Sequence, residues 1–412
     1  MAPVRRRLRA PDAARSPVGR TGRAAGRAAR GTDSGMVLTG DTTATTTSGR
    51  LAWVDPSKGL AMFMVIAYHV TLYLKTEDVD AVLGRAKAVF ELFPMPAFFL
   101  IAGMFAARQG QTSFPALWKR RLLSLLYLYV LWSVIRTAFY FIVPGLNGEL
   151  GEIPATDPLA LPLILFWPSS SYWFLYALFL FTLFRWLIAR FPVWAQLAGA
   201  GAVSTLFTSG LVDAHNIGWN RVGALFFFFV FGAVFSRHIR VVVDRARLVH
   251  LGIALAALAL STALIVLDLS WIPLVVLVGQ LAAVAVGILV CRYVVRFRPF
   301  GILSTMGRAS LKLYLLHLYV IVSATALIGL LDPAWPRWVD VCVQTVLVVV
   351  TVAASFGLAR LTSRVRWLYA PPAFLRGTRR RGTQRHPAPS DPEAAVTPPV
   401  ALTSQPVDGS QR

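Results

Sequence analysis

Charged residues are scarce in this sequence. Only 15% of its 412 residues are charged, and 19 acidic residues stand against 41 Lys and Arg. A soluble protein of this length would carry about 25% charged residues, so an ordinary soluble enzyme is excluded. Long apolar runs recur instead, and hydrophobic residues make up 56% of the chain. The sequence therefore predicts an all-α polytopic membrane protein.

Cysteine is almost absent as well. The two cysteines, Cys291 and Cys342, lie inside apolar runs. They form neither a metal-binding nor a redox spacing, so we interpret them as small apolar packing residues. No metal site and no permanently bound cofactor is expected.

The formal net charge of +22 is concentrated in two tails and in short loops. Residues 1–50 are rich in Ala, Gly and Arg, and residues 366–412 are rich in Pro and Arg. We expect both tails to be disordered and cytoplasmic, flanking one membrane domain over residues 51–365. Neither tail interleaves basic residues with aromatics, so no nucleic-acid partner is predicted.

Apolar segments long enough to cross a lipid bilayer, or nearly so, recur ten times. We expect them to form one bundle of about ten transmembrane helices. They cover residues 54–74, 88–107, 120–143, 171–190, 193–211, 221–236, 248–268, 271–292, 310–331 and 338–362.

The loops between these segments alternate in charge. One set is basic and includes "SRHIRVVVDRAR" and "RYVVRFRPF", whereas the opposite set includes "GLNGELGEIPATDP", which has three acids and no base. Cytoplasmic loops carry the excess of Lys and Arg. This pattern predicts a multi-pass protein of the plasma membrane with both termini in the cytoplasm.

The first segment, "DPSKGLAMFMVIAYHV", contains three ionisable residues that a lipid-facing helix does not need. Lys58 and His69 are eleven residues apart, so a helix places both on one face, about 16 Å from each other along its axis. Asp55 lies near the same face. Two of the three also have structural interpretations, since Asp55 can cap the helix before Pro56 and Lys58 can extend to lipid headgroups. His69 lies well inside the span and favours function.

A second polar face recurs in "MGRASLKLYLLHLYVIV". Ser310, Tyr314 and His317 fall at positions i, i+4 and i+7 of the predicted helix. Gly307 and Ser310 are expected to break and cap its start. Structural hydrogen bonding of a lone histidine remains an alternative here, but a second intramembrane histidine in one bundle strengthens the functional interpretation.

Two further pieces have both a structural and a functional interpretation. "WKRRLLSLLYLYVLW" places Arg120 and Arg121 at the start of the third span, where they are either a topology signal or a phosphate clamp. "SSSYWFLYALFLF" begins the fourth span, and its Trp173 suits an interfacial aromatic belt.

These motifs, in this order, resemble the acyltransferase 3 family of integral membrane acyltransferases over about residues 50–365. Asp55, Lys58, Gly59 and His69 resemble the family's first-helix pattern, with Lys58 in place of its usual Arg. "FFLIAGM" resembles the second-helix pattern without its Ser, and "YWFLYALF" resembles the start of the fourth helix.

The late pattern of the family resembles "MGRASLKLYLLH" at Gly307, Ser310, Tyr314 and His317. One departure lies in the third helix, where the second of two usual arginines is Ser124. Such a replacement bears on donor affinity, because an arginine fork binds phosphate in a way that serine cannot.

The resemblance implies an enzyme that transfers an acyl group, other than an amino-acyl group, from cytoplasmic acyl-coenzyme A to a hydroxyl of a surface or exported carbohydrate. Lys58, Arg120 and Arg121 would then meet the phosphates of the donor. His69 would act as general base or acyl carrier, because histidine is the usual side chain for proton transfer near neutral pH. Tyr314 and His317 would orient it or stabilise the oxyanion, with Asp55, Ser310 and Trp173 in support.

The alternative is a multi-helix transporter in which buried histidines relay protons. Transporters commonly show paired internal repeats, and none is visible in this sequence. A purely structural or assembly role in the membrane would account for the topology but not for the polar helix faces. The acyl group, the acceptor and the oligomeric state are not specified by the sequence.

Overall fold

The computed structural model describes residues 51–375 except 78, 80–86, 144–159, 169–170, 298–299 and 332–334. It shows an all-α membrane protein, which confirms the predicted fold class. The predicted tail at residues 1–50 and the acidic loop at residues 145–158 lie outside the described residues, as does nearly all of the C-terminal tail.

The described part of the chain is built almost entirely from helices. In chain order they are α1 (Val54–Lys75), α2 (Lys87–Leu92), α3 (Pro94–Ala106), α4 (Phe114–Leu117), α5 (Leu123–Ile142), α6 (Ala160–Leu163), α7 (Trp173–Leu187), α8 (Val193–Thr208), α9 (Ile217–Val234), α10 (Ser236–Arg245), α11 (Leu248–Val266), α12 (Val275–Val294), α13 (Gly301–Arg308), α14 (Ser310–Gly329) and α15 (Arg337–Leu361).

Eight helices of the described part are long and apolar enough to cross a membrane. One is the continuous stretch Phe114–Ile142, in which a π-helical turn at Trp118–Leu122 joins α4 to α5. The other two predicted segments coincide with shorter helices, the apolar stretch Phe90–Ala106 and the 16-residue α8. A helix of this length spans only part of the bilayer core of about 30 Å.

Two helices occupy segments that the sequence analysis assigned to basic loops. α10 is amphipathic, burying Val243 while Arg237 and His238 stay exposed. α13 precedes α14 directly, and only Ala309 separates them. Both helices are too short to span, so the hydropathy pattern of transmembrane segments does not reveal them.

Two helix crossings depend on pairs of glycines. A Cβ on Gly59 would come within 1.9 Å of the Leu303 carbonyl oxygen of α13, and one on Gly307 within 1.8 Å of the Asp55 carbonyl oxygen of α1. Helices α3 and α9 cross in the same reciprocal way. Small residues let membrane helices approach backbone to backbone, which is how α1 and α3 come to lie deep in the bundle.

α1 is a central helix. Of its membrane-spanning window, 56% is buried inside the protein, compared with 11% for α11 at the periphery. The face of α1 that includes Met62, Val65 and Tyr73 is buried. The polar face predicted from the sequence therefore points into the bundle, and Lys58 and His69 are presented to other helices.

Candidate functional site

His69 lies in the last two turns of α1 and is held by its own helix. Its Nδ1 is 2.8 Å from the Val65 carbonyl oxygen. A carbonyl oxygen only accepts hydrogen bonds, so Nδ1 is the protonated nitrogen and donates. The neutral ring then has an unprotonated Nε2, which is free to accept a proton or bind a ligand.

His317 of α14 is fixed in the same way. Its Nδ1 donates to the Tyr314 carbonyl oxygen at 2.8 Å and to that of Leu313 at 3.1 Å. The side chain is fully buried, and its Nε2 has no hydrogen-bond partner among the described residues. Buried polar atoms are nearly always satisfied, so this nitrogen marks a place where a proton or ligand interaction is missing.

The two histidines are in contact. Their ring centroids are 5.1 Å apart, and the rings meet edge to face at 73°. This pair joins α1 to α14, two helices that the sequence separates by about 250 residues. The structure thus brings together the two polar faces that the sequence analysis identified separately.

A cavity of about 560 Å³ opens beside His69. His69 lines it, whereas His317 lies behind and does not. The later turns of α1 and the first residues of α3, α7 and α9 surround the cavity, which defines what we call the cavity end of the bundle. Its charged and hydrogen-bonding lining includes Tyr68, Glu91, Arg136, Asn220, Arg221, Gln280 and Tyr314.

Tyr314 and Trp173 form part of the cavity wall. The Tyr314 hydroxyl donates to the Ser171 carbonyl oxygen at 3.0 Å, which ties α14 to the start of α7. The Trp173 side chain is only 7% exposed and lies inside the bundle, which does not fit the interfacial belt considered above. Both residues therefore shape the site next to His69.

Lys58 and Asp55 lie at the opposite end of α1, which we call the Lys58 end. Lys58 Nζ is 3.0 Å from Asp55 Oδ1, and the two side chains are 25% and 12% exposed. α1 begins at Val54 after Trp53, so Asp55 and Pro56 lie inside the first turn. The capping role considered for Asp55 is therefore wrong, and its carboxylate pairs with Lys58 instead.

The basic cluster at the start of the third span lies in the π-helical turn Trp118–Leu122. Arg136 lies further along the same helix and lines the cavity. The helical rise per residue therefore puts Arg121 about 22 Å from Arg136, toward the Lys58 end. Arg120 is exposed. Arg121 is half-buried, and its Nε has no hydrogen-bond partner in the described part of the chain.

Ser310 is not brought to the histidine pair. It is the first residue of α14, two turns before His317, and it does not line the cavity. The residue before it, Ala309, occupies the cap position, and no side chain caps this helix. The predicted capping role of Ser310 is therefore wrong.

Two cavity arginines, Arg136 and Arg221, were missed in the sequence analysis. Arg136 is an ionisable residue inside an apolar span, which is a functional signal in itself. Arg221 was placed at the edge of a span that was expected to begin there. The helix begins earlier, at Ile217, because the Asn216 side chain caps it by accepting from the Trp219 backbone N–H at 2.9 Å. Asn216, the first Asn in "HNIGWNR", is a helix-start signal that would have placed Arg221 inside the helix.

Comparison with known proteins agrees with this architecture. A family model described as an acyltransferase domain, acyltransferase 3, matches residues 51–360. Searches of curated proteins and of solved structures gave no match. The matched range covers three quarters of the chain and all the residues of the histidine pair, the cavity and the Lys58 end. This multi-pass membrane protein therefore belongs to the acyltransferase 3 family and is a transferase.

Proposed function

We propose that this protein transfers an acyl group, acetyl or a similar one, from acyl-coenzyme A to a hydroxyl group of a carbohydrate in the cavity. The donor meets the Lys58 end and the acceptor enters the cavity end. In this proposal the Lys58 end and both termini face the cytoplasm of a bacterial cell, and the acceptor is an exported or cell-surface carbohydrate.

One observation carries the proposal. His69 lines an open cavity while its Nδ1 donates to the Val65 carbonyl oxygen, which leaves Nε2 as the proton acceptor. A hydroxyl is a weak nucleophile until a base takes its proton. Among the described residues, two rings contact that of His69: Tyr68, which lines the cavity, and His317, which lies behind it.

The reaction can follow either of two routes at this site. As a base, His69 accepts the hydroxyl proton while the acceptor oxygen attacks the thioester carbonyl, and the proton returns to the thiolate of coenzyme A as it leaves. As a carrier, Nε2 attacks the thioester carbonyl itself and releases coenzyme A as its thiolate. The acceptor hydroxyl then attacks the carbonyl of the acyl group on Nε2, the bond between Nε2 and the acyl group breaks, and the hydroxyl proton passes to the ring and from there to the thiolate. In both routes His317 fixes the orientation of His69, and Tyr314 holds the wall against which the reacting carbonyl lies.

The donor site follows from charge. Coenzyme A carries phosphates, and basic side chains bind phosphate oxygens with short, charge-assisted hydrogen bonds. Lys58, Arg120 and Arg121 supply such side chains at the end of the bundle away from the cavity. The bulky anionic part of the donor thereby stays outside the apolar interior, and only its acyl-bearing arm needs to reach toward His69.

Replacing His69 by Ala tests the proposal. We expect acyl transfer to fall by at least about 100-fold, because general base catalysis contributes at least that much. Membrane insertion should persist, since alanine suits an apolar helix. The measurement is the ester content of cell-surface glycans by mass spectrometry, in a deletion strain complemented with each variant.

His238→Ala is the matched control, because His238 is an exposed histidine on α10. It should restore wild-type ester levels. Ester levels near wild type in the His69 variant would contradict the assignment. Incubating purified protein with radiolabelled acetyl-coenzyme A and no acceptor separates the two routes, since only a carrier retains label, and His69→Ala would abolish it.

A further inference from the structure

The cavity beside His69 contains more charge than proton transfer to a hydroxyl requires. Two guanidinium groups line it, those of Arg136 and Arg221, along with one carboxylate, that of Glu91. Arg136 and Arg221 both belong to helices long and apolar enough to span a membrane. An arginine in such a helix is costly to insert and normally faces a partner or a ligand.

Arg221 has the simplest surroundings of the three. Its guanidinium carbon lies 5.2 Å from the centre of the Trp173 ring, over which it packs. No hydrogen bond or ion pair to Arg221 is present among the described residues. The side chain is half-buried and lines the cavity, so its N–H donors are available there. His69 and Tyr314 line the same cavity, which places the guanidinium of Arg221 next to the reacting region.

Arg136 approaches the cavity from α5. Its guanidinium carbon lies 5.0 Å from the centre of the Tyr140 ring. Arg136 and Glu91 each make further contacts of their own, so their charges are partly engaged within the protein. Arg221 is therefore the charge in this cavity that is best placed to bind something that enters it.

We propose that the acceptor carries an anionic group, a carboxylate or a phosphate, which Arg221 binds while the acceptor hydroxyl faces His69. This inference rests on the proposed function and names the chemical class of its acceptor. A guanidinium binds carboxylate or phosphate through two parallel hydrogen bonds, and the Trp173 face holds the guanidinium in a fixed plane. Such a contact would select an acidic carbohydrate over a neutral one and set which hydroxyl reaches Nε2.

Three glycosides that differ only at carbon 6 provide the test. They are methyl β-D-glucuronide, methyl β-D-glucoside 6-phosphate and methyl β-D-glucoside. Their affinities are measured by titration calorimetry against the full chain in phosphatidylcholine nanodiscs. We expect at least one anionic glycoside to bind about 10-fold more tightly than the neutral one, as for a charge-assisted hydrogen bond. The glucuronide and the phosphate distinguish the two sources of the anion.

Variants at Arg221 assign the preference to this side chain. R221Q should bind all three glycosides with the affinity of the neutral one, and R221K should keep part of the preference because it retains the charge without the fork. R237Q, which changes an exposed arginine of α10, should behave as wild type. Thermal unfolding of each variant, together with neutral-glycoside binding, checks that the cavity is intact.

Equal affinities in the wild-type protein, or a preference that survives in R221Q, would overturn the inference. A loss of acyl transfer in R221Q that is the same for neutral and anionic acceptors, without any change in binding, would also overturn it and assign Arg221 to the oxyanion. If the wild-type protein prefers the anionic glycosides but transfers no acetyl group to them, the anion site is supported and the proposed function is contradicted.

Discussion

The ion pair between Lys58 and Asp55 gives the first helix a charge that is held in place. A lysine that only extended to lipid headgroups would need no carboxylate three residues away. The Lys58 side chain is instead three-quarters buried, with its ammonium 3.0 Å from Asp55. A phosphate arriving at this end therefore meets an ammonium that is already oriented.

Replacing Lys58 by Ala should weaken binding of coenzyme A by about 10-fold, because one charge-assisted contact to phosphate is lost. Lys58→Arg should bind at least as well as wild type, since arginine keeps the charge and adds a fork. The measurement is a titration of purified protein with coenzyme A.

Lys312→Ala is the control for this titration. Lys312 is also a half-buried lysine near a helix start, but it packs over the Tyr369 ring and has no proposed part in donor binding. Unchanged affinity in the Lys58 variant would show that Lys58 serves only the structure of α1.

At the scale of helices, the crossing of α1 and α13 has almost no space to spare. Gly307→Ala should lower stability by about 1–3 kcal/mol, as overpacking does, because its Cβ would overlap the Asp55 backbone. Gly357→Ala in α15 should raise stability by up to about 1 kcal/mol, because nothing lies within 4 Å and alanine favours helix. Thermal unfolding in detergent measures both, and equal shifts in the two variants would contradict the close crossing.

The helices show what the sequence can and cannot specify. Apolar length alone predicted α1, α7, α12 and α15 within a few residues, because the bilayer sets the length of a span. Helical periodicity predicted that Lys58 and His69 lie on the same face of α1. By contrast, the sequence around Gly59 or Gly307 does not specify which helix each glycine packs against. That depends on contacts between segments about 250 residues apart.

The candidate site shows the same division. His69, Tyr314 and His317 were identified from polar residues in apolar spans, but the contact between the two histidines and the cavity that His69 and Tyr314 line are properties of the packed bundle. Arg136 carried a signal of the same kind and was passed over. The π-helical turn around Arg121 has no sequence pattern of its own, because it arises where one extra residue is accommodated in a helix.

At the scale of the whole molecule, the proposed reaction needs the two ends of the bundle on opposite sides of the membrane. The loop between α8 and α9 lies at the cavity end, and α10 follows α9 at the Lys58 end. Basic residues concentrate around α10, which predicts a cytoplasmic location for it.

Cysteine labelling tests this orientation. In a protein lacking Cys291 and Cys342, a cysteine replacing exposed Leu211 should react with an impermeant thiol reagent on intact cells. A cysteine replacing exposed His238 should react only after the cells are opened. The reverse pattern would place His69 on the donor side and rule out transfer across the membrane, although the protein would remain an acyltransferase of this family.

The close contact between α1 and α13 also fixes the height at which His69 lies in the bundle. Gly59 meets the backbone of Leu303, and His69 follows ten positions later on the same helix, so about 15 Å of helix joins the contact to the imidazole. Deleting one residue between Gly59 and His69 would turn that imidazole by about 100° and draw it back by about 1.5 Å, with every side chain of the site still present. The number of residues between the contact and His69 thus sets the position of the reactive nitrogen.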